Sequence, residues 1–321
     1  MTTEAGGTRT TKVLAPDPAE MIWTFFTAQA SDNDVVTIPG TTSAHYATAV
    51  ANATAHGGSA ALSREEITIE TATKLDEVLF QAGNDEYVTG FAISDVDDAD
   101  DTSGTGTAST SITYYKVTPG PASGAVSSNV STGGLIVAYF EGTVSSDEAI
   151  DFSNIGIDKV YGAIAYRVSG ANAFTNSACT VGVSTELQKV KFSEAAQTDV
   201  DMRGLVWGIA DDASKATNTG TTLTSATGIK LYKISPGPSE VKVLFVKNTE
   251  VSTNEGITVT ELTEARFAVM HKIASGISTT NAVTVPASAT ELNMVKVTTT
   301  NTDVDVRGIV IGDVKSNAGW S

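Results

Sequence analysis

The chain has a single cysteine, Cys179, so no intrachain disulfide can form and stability must come from packing. Cys179 lies in Ser177-Ala-Cys-Thr-Val-Gly-Val183, among small and apolar neighbours in a predicted strand. It reads as a small buried hydrophobe, not as a reactive thiol. Positive charge is scarce as well: 20 Lys and Arg stand against 37 Asp and Glu, for a net charge of −17. Such a surface repels duplex nucleic acid and anionic membranes instead of releasing counterions, so neither is expected as a partner. No apolar run approaches the roughly twenty residues that span a bilayer. The stretch from Met1 to Lys12 has no apolar core of a secretory signal. The expectation is a protein assembled in the cytoplasm where it is made.

Chemistry-bearing patterns are missing too. There is no nucleophile elbow, phosphate-binding loop, dinucleotide fingerprint or zinc spacing. The three histidines, His45, His56 and His271, form no paired-ligand motif with a nearby carboxylate. His271, in an alternating segment, reads as a surface or edge position. The chain is not expected to be an enzyme or to need a cofactor.

What is abundant is Thr, Ser, Ala, Gly and Val, in short runs of period-two alternation separated by Gly, Asn, Asp and Ser. That pattern predicts β-structure throughout. Residues 43–55 stay open between a strand and a short helix.

Self-similarity organises the rest. A Lys-led strand and a Pro-x-Pro element occur three times: Lys12-Val-Leu-Ala-Pro16-Asp-Pro18, Lys116-Val-Thr-Pro119-Gly-Pro121 and Lys233-Ile-Ser-Pro236-Gly-Pro238. Each precedes a strongly apolar run, Met21–Phe26, Leu135–Phe140 and Val241–Val246, and then an acidic turn: Ser31–Asp34, Ser145–Glu148 and Ser252–Glu255. Further on, Thr73-Lys-Leu-Asp-Glu-Val78, Thr185-Glu-Leu-Gln-Lys-Val190 and Thr290-Glu-Leu-Asn-Met-Val295 correspond. Last comes an Asp five residues before a Gly: Asp85 and Gly90, Asp199 and Gly204, Asp303 and Gly308. So many ordered matches establish an internal repeat.

The expected fold is all-β, with three tandem β-sandwich domains, Ig-like or jelly-roll-like. Their expected bounds are 12–116, 117–233 and 234–321, after an N-terminal arm at 1–11. Proline donates no ladder hydrogen bond, so each Pro-x-Pro ends a strand and marks a junction. The strand before it either closes the preceding unit or opens the next. If it closes the preceding one, the third unit lacks a strand, which the segment 8–14 of a neighbouring subunit would supply.

Two polar patterns are candidate sites. Asp95, Asp97, Asp98, Asp100 and Asp101 would offer oxygen ligands to Ca²⁺, or form a solvated acidic loop, since the EF-hand spacing is absent. Asp199, Asp201 and Arg203, with Asp303, Asp305 and Arg307, place their charges on one strand face. The bland reading is a solvent-facing face; the sharper one is a salt bridge between domains or subunits, or a cation site.

Together these features point to a non-enzymatic structural protein of a virion: a capsid decoration, turret, spike or tail component. Its partners would be further copies or a major capsid or tail protein in a symmetric assembly. Two alternatives are an extracellular filament or surface-layer subunit of a prokaryote, and a carbohydrate-binding or adhesin array. The last would need exposed Trp platforms, whereas Trp23 and Trp207 fall in apolar strands.

Overall fold

A computed structural model describes residues 4, 6–15, 21–31, 33–38, 43–52, 60–64, 67–71, 74–80, 86–94, 107–108, 110–116, 130–131, 135–145, 148–169, 173–177, 179–183, 185–192, 199–218, 220, 223–225, 228–235, 239, 241–253, 255–274, 277–280, 282–298 and 303–313. They are nearly all strand, as composition predicts.

The chain opens with β1 (Gly6–Ala15). The first repeat follows as β2 (Ile22–Ala30), β3 (Asp34–Thr37), β4 (Ala44–Asn52), β5 (Ala60–Arg64), β6 (Ile67–Thr71), β7 (Lys74–Phe80), β8 (Glu86–Ser94), β9 (Thr107–Ala108) and β10 (Thr110–Lys116). A two-residue strand, β11 (Val130–Ser131), precedes the second repeat. This has β12 (Leu135–Val144), β13 (Glu148–Asp151), β14 (Lys159–Ser169), β15 (Ala173–Ser177), β16 (Cys179–Val183), β17 (Glu186–Phe192) and β18 (Val200–Ile209). Helix α1 (Asp212–Thr217), β19 (Thr224–Ser225) and β20 (Lys230–Ser235) complete it. The third repeat is β21 (Lys242–Val251), β22 (Gly256–Thr258), β23 (Glu264–Ala274), β24 (Ile277–Thr280), β25 (Ala282–Thr284), β26 (Met294–Thr298) and β27 (Val304–Asp313). Within the segment left open between strand and helix, residues 44–52 are therefore strand, and 53–55 lie outside the described residues.

Among the described residues no sheet is confined to one repeat. One runs β11-β10-β2-β8-β4-β5 and continues into the second repeat as β16-β17-β13-β19. Another runs β20-β12-β18-β14-β15 and continues into the third as β25-β26-β22. The last runs β1-β21-β27-β23-β24 and continues into the first as β6-β7-β3-β9. First joins second, second joins third, and third joins first: the connections form a closed cycle. The seams are equivalent antiparallel pairings, Leu62 with Cys179, Phe174 with Val283 and Ile277 with Thr68.

The strand before each Pro-x-Pro now has a definite place. β10 pairs with β2 and β20 with β12, so each completes the sheet of the repeat behind it. Among the described residues no such strand follows the third repeat. Its edge is filled by β1 of the same chain, where Lys12 stands opposite Phe245 and Val13 opposite Leu244. The equivalence extends further, because β9 and β19 lie parallel to β3 and β13, and Glu4 forms a parallel bridge to Gly256 in β22.

This arrangement explains the long apolar runs. In β2, Trp23 and Phe25 face a core shared by all three repeats. Phe26, Ala28 and Ala30 face a second core with Val78, Phe80 and Val88 of the first repeat. A strand buried on both faces reads as continuous hydrophobe, not as alternation. Each such large side chain contributes about 1.5–3 kcal/mol on burial. Cys179 is buried, as its sequence context predicts.

The repeated turn and aspartate are one device. In the acidic turns, the backbone N–H groups of Ser31, Ser145 and Ser252 donate to Asp34, Glu148 and Glu255 at 2.8, 2.9 and 2.9 Å. The hydroxyls of Ser145 and Ser252 donate to Asp199 and Asp303 at 3.1 and 3.2 Å. Both aspartates adopt left-handed backbone, φ 58° and 54°, which Asp tolerates better than most residues. The repeated glycine lies mid-strand, not at a bulge. A Cβ on Gly90, Gly204 or Gly308 would fall 2.2, 2.3 or 1.9 Å from a backbone carbonyl oxygen on the neighbouring strand.

Candidate functional site

The polar side chains that sequence singles out converge where one repeat meets the next. Strands β4, β14 and β23 each carry one extra residue against the neighbouring strand: His45, Tyr161 and Arg266. Such a bulge bends the strand and turns its backbone groups outward. Arg203 on β18 donates from Nη1 to the carbonyl of Arg266 at 2.8 Å, crossing from the second repeat to the third. Arg307 on β27 does the same to the carbonyl of His45 at 3.0 Å, crossing from the third to the first.

The first repeat has Thr89 at the matching position. At this junction Trp207 of the second repeat donates from Nε1 to Thr89 Oγ1 at 2.9 Å. The Trp207 ring occupies the space a side chain at 162 would need, since a Cβ on Gly162 would lie 2.3 Å from it. Aromatic residues follow the same cycle. Phe25 packs on Trp207 at 5.4 Å, Tyr139 on Phe267 at 5.9 Å and Phe245 on His45 at 6.4 Å between ring centroids.

Two expectations are corrected here. The Asp-x-Asp-x-Arg face does not face solvent at its arginines: Arg307 is only 5% exposed. Its carboxylate partner Asp305 sits 2.9 Å away, while the Arg203–Asp201 pair is looser at 3.5 Å. His271 is not a surface or edge residue either. It is buried in β23, its ring 5.1 Å from that of Tyr46 in the first repeat. Both corrections have one cause: the adjoining repeat covers a strand face that would otherwise be wet.

The junction between second and third repeats carries the densest charge. Arg266 binds Asp313 through two hydrogen bonds, Nε to Oδ1 at 2.9 Å and Nη2 to Oδ2 at 2.7 Å. Its Nη1 reaches Glu141 Oε1 at 2.8 Å. Glu141 also accepts from Tyr139 at 2.8 Å and, more weakly, from Lys230 and Tyr232, both at 3.4 Å. Burial pushes the Glu141 carboxyl up, but the Tyr139 hydrogen bond and the Arg266 charge together hold it below its ordinary value. Burial, then the Glu141 charge, drives the Tyr139 hydroxyl well above the usual tyrosine range. The hydrogen bonds to Asp313 lead in raising Arg266, so it stays charged. Sequence alone missed Glu141 and Arg266, which belong to no motif.

A second buried pair lies within the second repeat. Lys189 Nζ binds Glu186 at 2.7 Å and the carbonyl of Leu223 at 2.9 Å. Glu186 also accepts from the Leu223 N–H at 3.2 Å, so this pair fastens the segment after α1.

The five acidic residues Asp95, Asp97, Asp98, Asp100 and Asp101, and His56 with them, lie outside the described residues. Among the described residues no group of three His, Cys, Asp or Glu side chains is placed to hold a metal ion. No described helix is long and apolar enough to cross a membrane. A surface cleft of about 320 Å³ has Asp151, Ser153, Asn154 and Ser225 as its polar lining. Asp151 there accepts from the backbone N–H of Ser153 at 2.9 Å. What the convergent residues can do chemically is hold strands of different repeats in register. Comparison with protein-family models, curated proteins and solved structures finds no match to this chain.

Proposed function

We propose that this chain is a non-enzymatic structural protein of a virion, a capsid-decoration, turret, spike or tail component built from three β-sandwich units. The observation that carries the reading is the closed cycle of sheets, in which each repeat lends strands to its neighbour. A cycle of three like units within one polypeptide imitates a trimer, and suits a local three-fold position in a symmetric lattice. Its partners would be the major capsid or tail protein beneath it and further copies around it. The charged groups in the described part also favour a structural role. Arg203, Arg307, Arg266 and Glu141 are spent on contacts between repeats, and Asp199 and Asp303 on bracing turns.

Immunogold labelling with an antibody to the purified protein tests this. Label on the particles released by the source culture is the expected result. Label confined to cell envelopes or to filaments on cells would replace the virion reading with the surface-layer or filament one.

A further inference from the structure

The three junctions are alike in strand pairing but not in charge. In the third repeat Lys247, Arg307 and His271 stand opposite one another across β21, β27 and β23. The matching rows are Glu141, Arg203 and Tyr166 in the second repeat, and Thr27, Thr89 and Val50 in the first. Directly opposed residues of an antiparallel ladder project to the same face. Here that face meets the next repeat. Tyr46 packs on His271 at 5.1 Å, and Phe267 packs on Tyr166 in the same way at 5.8 Å.

The charges in these rows differ in kind. At the second–third junction Glu141, Asp201 and Asp313 balance Arg203 and Arg266. At the first–second junction Thr27, Thr89, Val50 and the bulge residue Tyr161 take up no proton between about pH 5 and 8. The third–first junction puts Lys247 at the position of Glu141, and His45 at the bulge position of Arg266. It thus has a lysine and a histidine where its neighbour has an acid and a base. Two cations there share one carboxylate, with Asp305 2.9 Å from Arg307 and 3.9 Å from Lys247. Among the described residues, the titratable and charged groups on the faces that meet at His271 are Arg307 and Asp305 from β27, Lys247 from β21, and His45 and Tyr46 from β4. His271 itself is buried. A proton on either histidine adds positive charge to a site whose carboxylate is already shared. Such charge is costly while enclosed, whereas imidazole in water titrates near about pH 6.5.

We propose that the third–first junction is a pH-sensitive latch, which parts ahead of the other two as acidity rises through the histidine range and opens the cycle without unfolding the repeats. The open junction takes up protons that the closed one excludes, so closure is complete above about pH 7 and weakens below it. Each proton taken up multiplies the opening equilibrium by up to about ten per pH unit. Carboxylates join only near about pH 4.5, below this window. The proposal rests on the junction geometry and not on the virion reading, so either can fail without the other.

Amide exchange of the full chain, followed by mass spectrometry between neutral and mildly acid pH and corrected for the chemical exchange rate, tests this. The seam strands β24 and β6 report on the third–first junction, β16 on the first–second and β15 on the second–third. Opening at β24 and β6 is expected to rise at least about tenfold over two pH units below neutrality, while β15 and β16 change less than about twofold. His45→Tyr combined with His271→Tyr installs the residues that Tyr161 and Tyr166 supply in the second repeat, and should flatten the rise. His271→Gln, a smaller change that keeps a fold if the pair does not, should make the rise shallower. His56→Ala should leave it intact. An equal rise at all three junctions, or none at β24 and β6, overturns the proposal. So does a full rise that persists in a folded variant lacking His271, or a rise abolished by His56→Ala.

Discussion

Arg307 Nη1 donates to the backbone carbonyl of His45 at 3.0 Å, joining residues 262 positions apart in the chain. The bond holds the last repeat against the first, and Arg307 is nearly enclosed there. Arg307→Met keeps the stem but leaves Asp305 and the His45 carbonyl without their charged donor. It should lower unfolding free energy by about 2 kcal/mol. Arg203→Met, at a more exposed site, should cost about half as much. Urea unfolding followed by tryptophan fluorescence checks both.

Gly308 is expected to be irreplaceable for steric reasons. A Cβ would stand 1.9 Å from the Val269 carbonyl oxygen, and neither strand can retreat without losing ladder bonds. Gly308→Ala should cost at least about 2 kcal/mol. Gly228→Ala is the control: nothing lies within 4 Å of its Cβ, and only its left-handed φ of 72° is penalised. It should cost about 1 kcal/mol. Thermal melts of the two variants would be compared, and equal costs would contradict the steric account.

Leu14 is the fully buried anchor of β1. Leu14→Ala should destabilise the molecule by about 2–4 kcal/mol. It should also raise amide exchange in β21 before it does so in β2 or β12. Exchange that rises evenly in all three strands would argue against β1 as a separately releasable closure.

Acid should loosen the junction between second and third repeats. Because the Glu141 carboxyl is held below its ordinary 4.5, its ionised form contributes stability in full above that value. The contribution is lost as pH falls through the folded value. Asp201 runs the other way: burial raises it above 3.8, more than Arg203 lowers it, so its ionisation weakens the fold near neutrality. Glu141→Gln should lower the urea midpoint at neutral pH and flatten its fall below about pH 4.5. A midpoint that falls equally steeply in the variant would assign the acid response elsewhere.

Much of the fold is legible in the residues. The repeat, the strands around Trp23, Leu135 and Val243, the acidic turns and the burial of Cys179 all follow from local pattern. The junction is legible only in part. The Asp-x-Asp-x-Arg-Gly pattern marks Arg203 and Arg307, but a strand's alternation says which residues share a face and not what covers that face. His271 looks like an edge residue for that reason. Glu141 and Arg266 have no motif, because the need for them arises only where two repeats meet.

By itself, then, the sequence determined that the chain is nearly all β and that it is written three times, and it pointed to Pro-x-Pro as the junction between repeats. These are local matters of side-chain period and of a residue that cannot donate a ladder bond. Which strand lies beside which was decided only in the tertiary structure. Strand edges offer the same backbone groups whatever repeat they belong to, and complementarity across the whole junction selects among them. That selection sent β1 to β21 and closed three repeats into one cycle.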